Sequence, residues 1–267
     1  NLSFVRETNI EVGDDPLTIA VADFNGDSWP DMAVSNWGTN ASTGRSITLL
    51  LNDQAGGFTS TTLEQGNIKA YAIAAADFNG DGDLDLAVGD GENGDRIAVL
   101  LGNGDGTFGA IASYPYPDNW DPSEIIPADY NQDGNLDLAV TRSRNSASEL
   151  MIYPGLGDGS FGDGVELDIG DGYRFYHAKG ADYSGDGWPD LLIGSYRTVM
   201  FLQNRADGTF GFQVSRLYSN SSLTYGADFG DFDGDGTPDI VATDDNNDVL
   251  RLLTGNTEHF LAADDSN

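Results

Sequence analysis

The amino-acid sequence predicts an all-β fold: a single domain over residues 1–267 in which five four-stranded antiparallel sheets form the blades of a closed β-propeller. Two observations predict it. A nine-residue Asp-rich segment recurs five times, and its first Asp residues lie 54, 52, 53 and 49 positions apart. The 35 Gly and 36 Asp favour tight turns, and no stretch shows helical periodicity. A repeat of this length along most of a chain is typical of solenoids and propellers.

Each repeat contains the same series of elements. A strand of small residues precedes the Asp-rich segment, as at 18–22 and 72–76, and a short apolar strand follows it. A third strand is richer in aliphatic residues, and a Phe after a Gly-rich turn opens a fourth, as at Phe108, Phe161 and Phe210. The Asp-rich segments, here called Asp loops 1–5, span 23–31, 77–85, 129–137, 182–190 and 231–239; the second strands are predicted at 32–35, 84–89, 136–141, 191–195 and 240–243, and the third at 47–51, 97–101, 150–153, 199–203 and 249–253.

The two ends of the chain predict how the ring closes. Residues 2–10 precede every Asp loop, and Phe4 leads towards a glycine as the Phe of the other fourth strands does. This N-terminal stretch is therefore predicted to be the outer strand of the last blade, which would leave no long free sheet edge. An alternative remains open, because Phe260 could open a local fourth strand in that blade.

Charge and composition exclude several classes of protein. The chain has 12 Lys and Arg against 44 Asp and Glu, a formal net charge of −32, so it lacks the basic face that binds nucleic acid. With 39% hydrophobic residues it is not a disordered acidic tail, and no apolar run reaches the roughly 18–20 residues of a membrane helix. The absence of Cys excludes disulfides and thiolate metal sites. The start without Met is compatible with a cleaved secretion signal, and we expect a secreted protein.

The Asp loops have the spacing of a metal site. Oxygen-bearing side chains occupy positions 1, 3, 5 and 9, and the backbone carbonyl of position 7 would add another oxygen. Such oxygens converge on a curled loop, and a cage of hard oxygens without His or Cys suits Ca²⁺. The same Asp residues could instead form Asx turns, but five copies favour about five Ca²⁺ ions. The predicted ligands are Asp23, Asn25, Asp27, Trp29, Asp31; Asp77, Asn79, Asp81, Asp83, Asp85; Asp129, Asn131, Asp133, Asn135, Asp137; Asp182, Ser184, Asp186, Trp188, Asp190; and Asp231, Asp233, Asp235, Thr237, Asp239.

A known repeat family shares these features. The loop pattern D-x-[DN]-x-D-G-x-x-D, the apolar strand after it and the downstream turns at 105–109 and 207–211 resemble FG-GAP/VCBS repeats. Such repeats occur in integrin α-subunit propellers, in some fungal lectins and in many bacterial secreted proteins. The resemblance implies Ca²⁺ at the Asp loops, between the two innermost strands of each blade, with ligands bound on the opposite face.

Positive charge and aromatic rings collect on that opposite face. Eight of the 12 Lys and Arg residues lie in or beside its predicted connections. Aromatic rings beside Arg suit sugar rings, and Arg also pairs with carboxylate or sulfate; alternatively, these rings pack loops and the Arg residues pair with surplus Asp. Lys179 and Asp228 occupy equivalent positions in neighbouring blades and are predicted to pair near the axis. The candidate ligand-binding residues are Trp37, Arg45, Tyr116, Trp120, Arg142, Arg144, Tyr173, Arg174, Tyr176, His177, Tyr196 and Arg197.

Three functions follow, in order of preference. The first is a secreted, calcium-binding module that binds carbohydrate as a lectin-like or adhesion domain, and the second is a protein–protein adhesion scaffold without glycan binding. The third is a polysaccharide lyase or hydrolase, with residues 173–177 supplying a base and an Arg. No catalytic residue is predicted, because Asp228 is the only acid expected on the inner strands outside the Asp loops, too few for a two-carboxylate mechanism. We therefore expect no enzyme, no nucleic-acid partner and no membrane insertion.

Overall fold

The computed structural model describes residues 9–38, 45–63, 68–91, 96–115, 120–144, 147–169, 174–223, 226–245 and 247–255. These residues form β-strands and no helix, which confirms the predicted all-β class. A helix long and apolar enough to cross a membrane is accordingly not found among them. The strands are β1 (Pro16–Ala22), β2 (Asp31–Asn36), β3 (Ser46–Asn52), β4 (Phe58–Leu63), β5 (Ala70–Ala76), β6 (Asp85–Asp90), β7 (Arg96–Leu100), β8 (Ala112–Pro115), β9 (Asp121–Ala128), β10 (Asp137–Arg144), β11 (Ala147–Tyr153), β12 (Val165–Leu167), β13 (Phe175–Ala181), β14 (Asp190–Asn204), β15 (Phe212–Leu223), β16 (Ala227–Gly230), β17 (Asp239–Asp244) and β18 (Val249–Leu253).

The strands form five antiparallel sheets, here called blades 1–5. Blades 1, 2 and 3 are four-stranded meanders, β1–β4, β5–β8 and β9–β12, and blades 4 and 5 contain β13–β15 and β16–β18. The first strands of successive blades adjoin one another: β1 with β5, β5 with β9, β9 with β13, and β13 with β16. Each Asp loop connects the first and second strands of its blade, as the repeat predicts.

Blade 4 contains more strand than its three names suggest. β14 runs without interruption from Asp190 to Asn204, but its two ends meet, because Asn204 N donates to Asp190 Oδ1 at 2.8 Å. A fully extended segment of this length would span roughly 45 Å. The first half of β14 pairs with β13 and the second half with β15. β14 therefore doubles back and supplies the second and third strands that the sequence predicts at 191–195 and 199–203.

The hydrophobic core lies between the blades rather than within them. Successive side chains of a strand point to opposite faces, so each blade contributes to two cores. In blade 2, Leu86 and Val88 pack towards blade 1, whereas Ala87 and Val99 pack towards blade 3. All four are fully buried. This two-sided burial is why the second and third strands read as continuous apolar runs.

The aromatic residue at position 2 of Asp loops 1, 2 and 3 links its blade to the next. Phe24 is 2% exposed and meets Phe108 edge-to-face, with ring centroids 6.0 Å apart. Its carbonyl accepts a hydrogen bond from Gly106 N at 3.0 Å, in the β7–β8 turn of blade 2. The loop conformation of one blade thereby positions the turn of its neighbour. The equivalent contacts join Phe78 with Phe161 and Gly159, and Tyr130 with Phe212 and Asn204.

The predicted fourth strands are present with one systematic difference. Phe58 opens β4, as expected. Phe108 and Phe161 instead make isolated bridges to Gly102 and Gly155, and β8 and β12 begin four residues later, while β15 begins two residues after Phe210. The predicted closing strand cannot be followed in the same way, because residues 1–8 and 256–267 lie outside the described chain. Ring closure therefore stays a prediction.

The two end blades expose apolar faces that inner blades bury. Ile19 and Val21 of β1 are 59% and 63% exposed, and Leu250 and Leu252 of β18 are 71% and 52% exposed. Val99, the blade 2 residue that corresponds to Leu252, is fully buried. Within the described ranges, blades 5 and 1 share no hydrophobic cluster of the kind that joins the other blades.

The backbone at Gly155, just after β11, lies close to the backbone at Leu136, and this contact allows a test of the strand register. A Cβ at Gly155 would lie 2.1 Å from Leu136 O, so Gly155→Ala forces the backbone apart. We expect it to lower the free energy of unfolding by about 1–3 kcal/mol, measured by chemical denaturation. Gly162→Ala in the same turn is the matched control, because its Cβ would meet Pro154 at an ordinary 3.7 Å. Equal stability of the two variants would contradict the register described here.

Candidate metal loops and the opposite face

Each Asp loop curls around its first carboxylate. In loop 1, Asp23 Oδ1 accepts a hydrogen bond from Asp27 N at 3.1 Å, and Oδ2 accepts one from Ser28 N at 2.7 Å. The turn requires a left-handed backbone at position 6, where Ser28 has φ 68°. A residue with a Cβ adopts this conformation at some cost, which explains the preference for glycine. Position 6 of the other loops is Gly82, Gly134, Gly187 and Gly236, all with positive φ.

Positions 3, 5 and 7 are hydrogen-bonded to one another. In loop 2, Asp81 Oδ1 accepts from Asp83 N at 2.9 Å, and Asp81 Oδ2 accepts from Asn79 Nδ2 at 2.8 Å. Loops 1 and 3 repeat the amide contact. The Asx turns that the sequence left open are therefore present. They also hold the side chains of positions 1, 3 and 5 close together, as a shared cation would require.

The ninth residue of every loop is a buried brace. Asp137 is 0% exposed; its Oδ2 accepts from Tyr130 N at 2.9 Å and its Oδ1 from Gly155 N at 2.8 Å. This carboxylate therefore ties the loop to the start of the second strand and the end of the third. The same pair of bonds is made by Asp31 with Phe24 and Asn52, by Asp85 with Phe78 and Gly102, by Asp190 with Tyr183 and Asn204, and by Asp239 with Phe232 and Gly255.

Burial opposes the charge of these braces. It raises the pKa of Asp137 to about 6, and repulsion from Asp133 and Asp129 adds to the rise. Burial also raises the pKa of Asp85 and of Asp190. A divalent cation among the loop oxygens would favour the ionised form and offset the repulsion.

The donor chemistry of the loops fits Ca²⁺. In loop 5, Asp231, Asp233 and Asp239 can each offer a carboxylate oxygen, and these oxygens lie within 4.8 Å of one another. Every side-chain donor predicted in the five loops is an oxygen, the ligand type that hard cations take. A bound ion would neutralise part of the carboxylate charge and cross-link the loop.

At the opposite end of the blades lies a layer of buried polar residues that the sequence did not reveal as a layer, although it indicated Arg142 as a candidate ligand-binding residue. Five residues after the closing Asp, each blade carries a polar side chain that bonds within its own hairpin. Asp90, for example, accepts from Arg96 Nε at 2.9 Å. The spacing from the closing Asp is the signal that would have found this layer. Its members are Asn36, Asp90, Arg142, Ser195 and Asp244, none more than 4% exposed.

Trp37 lies in a cluster at the boundary of blades 1 and 2. The Lys69 ammonium sits 4.0 Å from the Trp37 ring centroid, and Tyr71 meets Trp37 edge-to-face at 6.1 Å. Both rings are partly exposed, whereas Lys69 is 3% exposed. The backbone N–H of Lys69 donates to Asp90 Oδ1 at 2.8 Å. The Trp37 indole N–H is buried and meets no hydrogen-bond acceptor among the described atoms. Arg45 lies near enough to Asp90 to favour its charge.

The other candidate ligand residues fall into separate groups. In blade 3, Arg142 stacks on Trp120 at 5.5 Å and pairs with Glu149, so this cation is turned inward. In blade 4, Arg174 lies 5.7 Å from the Tyr176 ring. The candidates therefore line several blade boundaries rather than one pocket. Tyr116 and Tyr173 lie outside the described residues, as do the side chains of Arg144, Tyr196 and Arg197.

The inner strands carry more acid than the sequence predicted. β9 begins at Asp121, earlier than expected, and so includes Glu124. Glu124 Oε1 lies 3.3 Å from His177 Nδ1 on β13. The expectation that Asp228 is the only inner-strand acid outside the loops is therefore wrong. The predicted pairing of Lys179 with Asp228 is confirmed, with Nζ and Oδ2 2.6 Å apart.

The brace at position 9 predicts a stability effect that does not depend on metal. Asp137→Ala strands two buried backbone N–H groups, and we expect it to lower the free energy of unfolding in EDTA by at least about 2 kcal/mol. The loss stays below the full cost of both groups, because burial makes the ionised carboxylate itself unfavourable at neutral pH. Asp133→Ala, at an exposed loop position, is the control and should change stability by under about 0.5 kcal/mol. If Asp133→Ala lowered the free energy of unfolding more than Asp137→Ala does, position 9 would not be the brace of the loop.

Comparison with known proteins agrees with this architecture. Among solved structures, an Agrocybe aegerita lectin described as recognising non-reducing terminal N-acetylglucosamine has a TM-score of 0.58 and 20% identity, over 86% of this chain and 61% of that one. A chain of the Photorhabdus luminescens Tc holotoxin pore (0.47, 17%, 92% and 11%) and BBS1N in complex with ARL6DN (0.46, 15%, 70% and 57%) are more distantly similar. This chain thus spans 61% of the lectin's length, and the likeness concerns the fold alone.

No curated protein sequence matches the chain. The model of the FG-GAP-like repeat matches residues 37–88, 77–140, 130–193 and 182–242, an overlapping series that covers most of the sequence. These matches include Asp loops 2 to 5 and the strands around them. The resemblance seen in the loop pattern is thereby confirmed, and the chain belongs to the FG-GAP-like repeat family.

Proposed function

We propose that this chain is an extracellular, calcium-binding module that binds carbohydrate at the blade ends opposite the Asp loops. The observation that carries the proposal is the cluster of Trp37, Tyr71, Lys69 and Asp90, in which two partly exposed rings lie over a buried cation and carboxylate at one blade boundary. The fold shared with a lectin propeller supports it. The function proposed is binding rather than catalysis.

The chemistry of this cluster suits a sugar. The apolar face of a pyranose packs on aromatic rings, and its hydroxyls bond to charged and planar polar groups. Here two rings meet at an interplanar angle of 73°, beside the ion pair of Asp90 with Arg96. Different groups at other blade boundaries would allow several weak sites to act together.

Calcium and an extracellular location support each other. The loops bring three or four carboxylates together in a chain whose net charge is −32. Extracellular calcium modules bind with dissociation constants of about 10⁻⁴ to 10⁻³ M, which suits partly exposed loops of this kind. In this proposal Ca²⁺ stabilises the blades, and the sugar contacts lie at their other end.

Calcium should stabilise the fold measurably. At about 1 mM Ca²⁺ and a dissociation constant of about 10⁻⁴ M, each site adds about 1.4 kcal/mol to the free energy of unfolding, so several sites together should raise the melting temperature clearly from EDTA to millimolar Ca²⁺. Asp133→Ala should reduce this rise by removing one loop's ligand, and Mg²⁺ should give a smaller effect because the loops do not offer its small octahedral site. An identical melting temperature in EDTA and Ca²⁺ would refute calcium binding.

Glycan binding should depend on Trp37. A panel of neutral glycans and acidic polysaccharides in millimolar Ca²⁺ should yield at least one ligand, and Trp37→Ala should weaken it about tenfold or more, equivalent to roughly 1.4 kcal/mol. Phe232→Ala is the matched control, because Phe232 is an exposed ring at the Asp-loop end, 53% accessible.

Two other outcomes discriminate the alternatives. A folded protein that binds nothing on the panel would overturn carbohydrate binding and favour a protein partner on the same face. Shortened or unsaturated products after incubation with a bound polysaccharide would overturn the non-enzymatic assignment.

A further inference from the structure

A second polar site lies away from the Trp37 cluster, at the inner edge of blades 4 and 5. A cleft of about 280 Å³ opens there between β13 and the exposed face of blade 5. Its polar lining comes from His177 and Lys179 on β13, from Asp228 on β16 and from Thr243 on β17. Leu250 and Val241 form an apolar wall beside them.

The polar groups of this cleft are not needed to build a blade. Lys179 and Asp228 stand three residues before the first Asp of their loops, where blades 1, 2 and 3 have Ala20, Ala74 and Ile126. Those three blades fold with aliphatic side chains at this position. A charged pair at two successive positions therefore calls for a role other than packing.

The side chains of Lys179 and Asp228 are accessible to solvent and are already oriented by their ion pair. Lys179 Nζ and Asp228 Oδ2 are 2.6 Å apart, and the two side chains are 41% and 53% exposed. His177, 31% exposed, stands two residues from Lys179 and is oriented by Glu124. An exposed ion pair contributes little to stability, so the pair is free to be used for recognition.

We propose that this cleft binds a neutral saccharide through a pair of adjacent hydroxyl groups. One hydroxyl donates to the Asp228 carboxylate while its neighbour accepts from the Lys179 ammonium, a combination that a fixed donor–acceptor pair recognises well. The C–H face of the sugar ring covers Leu250, which is 71% exposed. An anionic sugar is disfavoured, because Asp228 already pairs with the Lys179 cation and Glu124 lies beside His177, in a chain of net charge −32. The inference rests on the proposed carbohydrate-binding function and adds a site to it.

Saturation-transfer NMR and calorimetry with methyl glucoside, methyl galactoside and methyl mannoside test the site in the full chain with Ca²⁺. We expect at least one glycoside to bind and to shift the His177 ring resonances. Asp228→Asn and Lys179→Met should each weaken that binding about tenfold. Asp207→Asn, another exposed acid that bonds to a neighbouring Thr, is the matched control and should leave it unchanged. Unaltered circular dichroism of the variants should verify their fold, which the exposed pair does not determine.

Each contrary result is informative. Glycosides that bind with unchanged affinity to Asp228→Asn and Lys179→Met would overturn this site, and if Trp37→Ala abolished their binding the proposed function would still stand. Tighter binding of glucuronate than of the neutral glycosides would overturn the assigned ligand class. Failure of every glycoside and every panel glycan to bind would refute the proposed function and this inference together.

Discussion

Each blade depends on one buried carboxylate, because it accepts hydrogen bonds from two backbone N–H groups, one in the Asp loop and one at the end of the third strand. Asp137 shows why the residue is Asp: only a carboxylate presents an acceptor on both oxygens, whereas an amide would turn a donor towards one N–H group. The same burial that makes the brace specific raises the pKa of Asp85, Asp137 and Asp190, so the fold carries an electrostatic cost at these loops. Clustered loop oxygens that can take a cation are the natural compensation for that cost.

The Asp loops also set the geometry between blades. In loops 1, 2 and 3 the aromatic residue after the first Asp is buried against the next blade, and its carbonyl accepts a hydrogen bond from that blade, as Phe24 does from Gly106. Each interface therefore repeats the previous one, and stability accumulates by nearest-neighbour contacts. The same logic accounts for the exposed apolar faces of β1 and β18, because blades 1 and 5 share no hydrophobic cluster within the described residues.

Features at equivalent positions of the repeat could be predicted from the sequence. Strand limits and contacts that depend on pairing between strands or blades could not. The five loops, the order of strands around them and the Lys179–Asp228 pair follow from equivalent positions, and the structure has them. The two halves of β14 were predicted as separate second and third strands, because both apolar runs are visible in the sequence. Glu124 was missed because the start of β9 depends on pairing with β10, not on local composition. Lys69 was counted only as a surface cation, because its contact with Trp37 crosses a blade boundary.

The division between the two ends of the blades explains how such a repeat can vary its binding. At the loop end, the brace and the aromatic residue must be kept, since each serves two strands or two blades. At the other end, the buried polar position is Asn36, Asp90, Arg142, Ser195 or Asp244, and its partner lies in the same hairpin. A substitution at this position therefore changes contacts within one hairpin and leaves the neighbouring blades in place. Different chemistry can therefore develop at each blade boundary, which is why the Trp37 cluster and the Lys179–Asp228 cleft, built from unlike residues, are compatible with one regular scaffold.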